Sequence, residues 1–81
     1  MVKYVKAASS PKDKIIVHWG DETKTYFNLA EALAYWSNMK RSFTADDNVG
    51  LARLANDIYR ELVSGVAEVF IYQVDIDEYE N

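Results

Sequence analysis

His18 is the only histidine of the chain, and Asp21 and Glu22 follow it closely. An imidazole beside a carboxylate is the pairing used in general acid–base catalysis. It is the first chemistry that the residue types suggest. The stretch Lys14-Ile15-Ile16-Val17-His18-Trp19 is β-branched and aromatic, however, and a turn follows it. There His18 reads as a histidine on a sheet surface rather than as a catalytic base. One histidine and no cysteine cannot supply a multi-histidine or thiolate zinc site, and no H-E-x-x-H pattern occurs.

Carboxylates stand in pairs at Asp21-Glu22, Asp46-Asp47 and Asp77-Glu78. A divalent cation needs several oxygens converging from separate segments. Asp46-Asp47 is better read as charge placed at the start of a helix. Asp75-Ile76-Asp77-Glu78 lacks the spacing of a calcium loop. Ser9 and Ser10 have no Gly-x-Ser-x-Gly setting. Gly20, Gly50 and Gly65 are too far apart to cradle a phosphate. No catalytic, cofactor-binding or metal-binding residue is therefore assigned, and a non-enzymatic protein without a cofactor is expected.

Protein binding is the chemistry that remains. The net charge is −4, which opposes non-specific attachment to nucleic acid. Lys3, Lys6, Lys12 and Lys14 lie near the N-terminus, whereas Glu68, Asp75, Asp77, Glu78 and Glu80 crowd the C-terminal part without a base. Acidic residues at turns and chain ends are solvated and can steer a basic partner. Asp21, Glu22, Asp46, Asp47, Asp75, Asp77 and Glu78 are the predicted protein-binding residues. Tyr4, Trp19, Tyr26, Phe70 and Tyr72 next to lysines could stack single-stranded bases. One sheet face must pack on helices, so core is the simpler reading of most of them.

The elements that must position these residues follow from periodicity. Residues 2–7 form a short strand, and Ser9-Ser10-Pro11 marks a turn. Ile15 to Trp19, the Gly20-Asp21-Glu22 turn and Thr23 to Phe27 form a hairpin. Asn28 caps helix one with Glu31 in a capping box and Phe27 as a staple. The helix carries the stripe Leu29, Ala32, Leu33, Trp36 and Met39 and ends at Lys40-Arg41. Ser42-Phe43 then links to a second capping box, Thr44 with Asp47. Leu51, Leu54, Ala55, Ile58, Leu62 and Val63 form the stripe of helix two, which Gly65 ends. Val66 to Ile76 reads as the last strand, central in the sheet because both faces of its first half are apolar.

The predicted fold is α+β in two layers. A mostly antiparallel three- to four-stranded sheet carries a two-helix hairpin on one face, in the order β-β-β-α-α-β. Residues 1–76 form the domain, and 77–81 an acidic tail. No run reaches the ~20 apolar residues of a membrane span. With no signal-peptide core at the N-terminus either, an unprocessed cytoplasmic protein is expected.

In its 81 residues, acidity, lack of cysteine and mixed layout, the chain resembles the small inhibitor proteins that phages encode against bacterial defences, anti-CRISPR proteins among them. The likeness lies in size, charge and layout. It implies a non-catalytic inhibitor that blocks the basic groove of a host nucleic-acid-handling protein or nucleoprotein complex. Immunity proteins that cap nuclease toxins share these traits. Two alternatives are a structural accessory protein that homodimerises through exposed sheet surface and, more weakly, a single-stranded nucleic-acid binder. The expected state is a monomer or homodimer, with neither membrane nor direct nucleic-acid contact.

Overall fold

The computed structural model describes residues 3–6, as backbone, and 14–80. The Ser9-Ser10-Pro11 turn lies outside the described residues. Strand β1 spans Lys3–Lys6, β2 Ile15–Trp19 and β3 Glu22–Tyr26. Helix α1 spans Leu29–Ala45 and α2 Val49–Val63; β4, Val66–Ile71, and α3, Gln73–Glu80, complete the chain. The α+β class, the order of the first six elements and the helical hairpin follow the sequence reading. Among the described residues no helix is long and apolar enough to cross a membrane.

The sheet runs β1-β4-β2-β3. Its outer pairings, β1 with β4 and β2 with β3, are antiparallel, but β2 and β4 are parallel. The sheet is thus mixed. A parallel neighbour needs a long crossover, and the α1–α2 hairpin provides it. β4 is central, as its two apolar faces require.

Side chains sort by strand parity. Ile15, Val17, Tyr26, Val69 and Ile71 are buried beneath the helices, while Ile16, His18, Thr23, Thr25, Glu68 and Phe70 lie on the other face. From α1 the core receives Ala32 and Trp36; from α2 it receives Leu51, Leu54, Ala55, Ile58 and Leu62. An aromatic group fills the seam between sheet and α1. Trp36 lies 5.3 Å from Trp19 and 5.1 Å, edge-on, from Tyr35, which is 5.4 Å from Tyr26. Trp19 and Tyr26 are therefore core, not base-stacking residues.

Two polar atoms in this seam, Tyr26 Oη and Trp36 Nε1, are buried without a well-formed hydrogen bond among the described residues; the indole N–H acts only weakly on the hydroxyl. Burial first, and the nearby Tyr35 second, raise the Tyr26 hydroxyl well above the ordinary value of 10. Folding thus favours the neutral phenol. That stability is complete below pH 10 and declines above it, as the unfolded chain ionises first. Tyr26→Phe is expected to hold or slightly raise stability at pH 7, because a buried hydroxyl without a well-formed hydrogen bond is removed. It should also lessen the alkaline decline. Urea titrations at pH 7 and pH 11 check both; an unchanged alkaline decline would refute the assignment.

The structure corrects four details. Helix α1 continues through the expected Ser42-Phe43 link, because Phe43 still packs on the core one turn beyond Met39 and the Thr44 hydroxyl donates to Lys40 O at 2.8 Å. α2 is capped by Asn48 rather than Thr44, Asn48 Oδ1 accepting the Leu51 N–H at 3.2 Å. Phe27 is 67% exposed and closes no staple. The last strand stops at Ile71, and the segment read as strand end and acidic tail is α3. Its start is fixed by Tyr72, whose carbonyl accepts from the N–H groups of Asp75 and Ile76.

Candidate functional site

Asp21 and Glu22 owe their positions to a two-residue turn. Gly20 has φ +64, whereas φ of Asp21 is not positive, the pattern of a type II′ hairpin that glycine admits without a steric penalty. Both carboxylates are exposed, and Glu22 Oε2 lies 3.5 Å from Lys24 Nζ.

Asp46 and Asp47 were expected in the first turn of helix two. They instead form the turn between the helices. Asp46 caps the end of α1, its N–H donating to Ser42 O, and Asp47 has φ 60 with its N–H on Thr44 O at 3.1 Å. Aspartate tolerates this left-handed geometry better than most residues. Both side chains remain exposed.

Asp75 is a correction of another kind. It is 0% exposed, and its Oδ2 accepts the Tyr72 N–H at 3.2 Å. The carboxylate reaches back to the start of its own helix, as in a capping box. It is a structural group and cannot belong to a docking surface. Asp77 and Glu78 are exposed on the same helix, with Gln73 Nε2 donating to Asp77 Oδ1 at 3.0 Å.

Helix α3 joins the acidic sites. At its first turn a Cβ on Gly20 would stand 2.9 Å from Gln73 Oε1 and 3.6 Å from Ile76 Cδ1, so the helix rests on the hairpin turn. At its other end the Tyr79 carbonyl lies against Gly50 of α2. An eight-residue helix is about 12 Å long. The hairpin tip and the start of α2 are therefore about one short helix apart, not at opposite poles.

Asp47 and Glu78 line one open groove of about 660 Å³ with Asn48, Val49, Gly50, Arg53, Tyr79 and Glu80. The wall is steadied by Tyr79, whose hydroxyl donates to Asp57 Oδ2 at 3.4 Å. Burial, with the Asp57 carboxylate beside it, holds that hydroxyl above the ordinary tyrosine value. Sequence periodicity could not reveal this groove, since α3 was not legible as a helix.

His18 meets neither Asp21 nor Glu22. Its Nε2 is 2.7 Å from Glu68 Oε2, fifty residues away, and its Nδ1 is 3.5 Å from Thr23 Oγ1. The ring stacks on Phe70 at 4.3 Å with 7° between planes. Both nitrogens and one ring face are thus engaged on the outer sheet face. Among the described residues, no group of three or more His, Asp or Glu is placed to hold a metal ion.

Comparison of the chain with models of protein families, with curated proteins and with solved structures finds no match in any of the three.

Proposed function

We propose that this protein is a non-catalytic binding module, an inhibitor of the phage anti-defence or immunity type. It engages a basic, nucleic-acid-handling protein through the acidic rim around α3. The observation that carries this reading is the placement of α3, which brings Asp21 and Glu22 to one of its ends and Asp47 to the other. Asp77 and Glu78 stand between them. A predominantly acidic rim, in which Arg53 lines the groove and Lys24 lies beside Glu22 as the cations, steers a basic surface into contact and fixes its orientation. The exposed Val49 beside Asp47 adds apolar area to an otherwise charged contact. The engagement of His18 by Glu68, Thr23 and Phe70 fits a structural rather than a catalytic histidine.

Capture of partners from a lysate at low and high salt tests the reading. The Asp21→Lys/Asp77→Lys variant is expected to slow capture about tenfold at low salt, with a much smaller difference at high salt. Both positions are exposed, so circular dichroism should remain unchanged. Capture that ignores both salt and charge reversal would remove the electrostatic interface.

A further inference from the structure

The two edges of the sheet are built differently. Along β1 the register shifts between Val5 and Lys6. β3 pairs with β2 through five successive residues without a shift. Regular edges without proline or a bulge are ready to accept another strand, and proteins normally blunt them.

The outward groups of β3 can be assigned. The Gly20 N–H donates to Ile71 O at 2.7 Å, so the even-numbered residues of β2 turn their backbone groups toward β4 and the odd-numbered ones toward β3. In the β2–β3 register Trp19 faces Glu22 and Val17 faces Lys24. The backbone groups of Glu22 and Lys24 consequently serve the hairpin, and those of Thr23 and Thr25 point out from an edge that no other described strand covers. Both threonines are exposed.

The side chain that could guard this edge is drawn back. Lys24 Nζ lies 5.4 Å from the Tyr35 ring centre, over α1, and 3.5 Å from Glu22 Oε2. The edge carries one cation and one anion on the same face, two residues apart. Antiparallel pairing of two such edges about Lys24 would oppose lysine to lysine. Pairing about Thr23 instead places Glu22 opposite Lys24 of the second copy, and Lys24 opposite its Glu22. Four alternating charges then surround the two-fold axis, with a threonine pair on the other face. Directly opposed unlike charges and paired threonines both favour strand pairing.

We propose that the β3 edge is a self-association site, at which two copies of this chain pair antiparallel about Thr23 and continue the sheet across the dimer. Its occupant is a second copy because the charge pattern is complementary to itself in this register.

Sedimentation equilibrium from micromolar to millimolar concentration at low salt tests the site. The mass is expected to rise from 9.3 kDa toward twice that value. Glu22→Lys and Lys24→Glu each set like charges opposite one another and should weaken the dimer at least tenfold. The double exchange restores unlike pairs and should recover it. Thr23→Pro removes an outward amide that the β2–β3 ladder does not use and should give a monomer. Circular dichroism of each variant, compared with the original chain, confirms that the fold is kept. A single species of 9.3 kDa at millimolar concentration would overturn the proposal, as would a dimer indifferent to the single charge changes. Glu22 belongs to both sites and Asp21 opposes Thr25 of the second copy in this register, so the variant that separates them is Asp47→Lys/Asp77→Lys; it alters the rim away from β3 and should leave this equilibrium unchanged, so the two sites succeed or fail separately.

Discussion

Replacing Trp36 with alanine is expected to destabilise the protein by about 3–5 kcal/mol, enough to leave a large fraction unfolded at room temperature. Trp36 is the largest fully buried side chain and joins α1 to the sheet through Trp19 and Tyr35. Its loss removes dispersion contacts on every side, and the void cannot close, since Ala32 offers little volume on the same helix face. Trp36→Phe separates packing from polarity. It keeps an aromatic ring but removes an indole N–H that makes no well-formed hydrogen bond among the described residues. Its cost should be well under half that of alanine. Urea unfolding followed by circular dichroism measures both. A cost below about 1 kcal/mol for Trp36→Ala would mean that the seam is not the centre of the core.

Gly50→Ala is expected to reverse the usual rule for helices. Alanine normally gains over glycine in a helix, by roughly 0.5–1 kcal/mol in the interior and less in the first turn, where Gly50 stands. Here an added Cβ would fall on the Tyr79 carbonyl, a backbone atom that cannot swing aside. Either α3 lifts from α2 or the α2 start shifts. Overpacking of this kind costs about 1–3 kcal/mol, and near 2 kcal/mol the melting temperature of so small a domain falls by about 10 °C. Amide hydrogen exchange should locate the loss in residues 73–80 before it reaches the sheet. A variant as stable as the original chain, with α3 still protected, would contradict the close approach.

The second of these changes shows why sequence reading went only part of the way. The α1 cap was legible because Asn28 is a good capping residue and acts on Glu31, three residues on, with Glu31 N–H to Asn28 Oδ1 at 2.8 Å. The α2 stripe was legible because Leu51, Leu54, Ile58 and Leu62 recur at helical spacing and are all buried. At the α2 start several capping residues stand in a row, Thr44, Asp46, Asp47 and Asn48, and local chemistry alone could not rank them.

α3 is hidden from local sequence patterns for a stronger reason. Phe70, Tyr72, Val74 and Ile76 alternate as a strand would, and tyrosine is an unusual helix start. The helix depends on Asp75 becoming buried to hold the Tyr72 N–H, and on glycines at 20 and 50 that give α3 room. Buried aspartate is rare enough that a sequence reading places it in solvent. The candidate surface shared this fate: each exposed carboxylate was legible, but their gathering around α3 was not. The His18–Glu68 contact spans fifty residues and depends on the β2–β4 pairing, which no local pattern encodes.

That parallel pairing has a consequence for how the molecule is made. β4 lies between β1 and β2 yet follows α1 and α2 in the chain. On a ribosome the β2–β3 hairpin and the helical hairpin can form as they emerge. β1 has no neighbour to join until the chain has been synthesised through Ile71. The first strand must wait for the last, and closing loops of this length slows folding. Through that interval the apolar faces of the nascent hairpins lack their sheet partner, so a stall before β4 would leave an aggregation-prone chain.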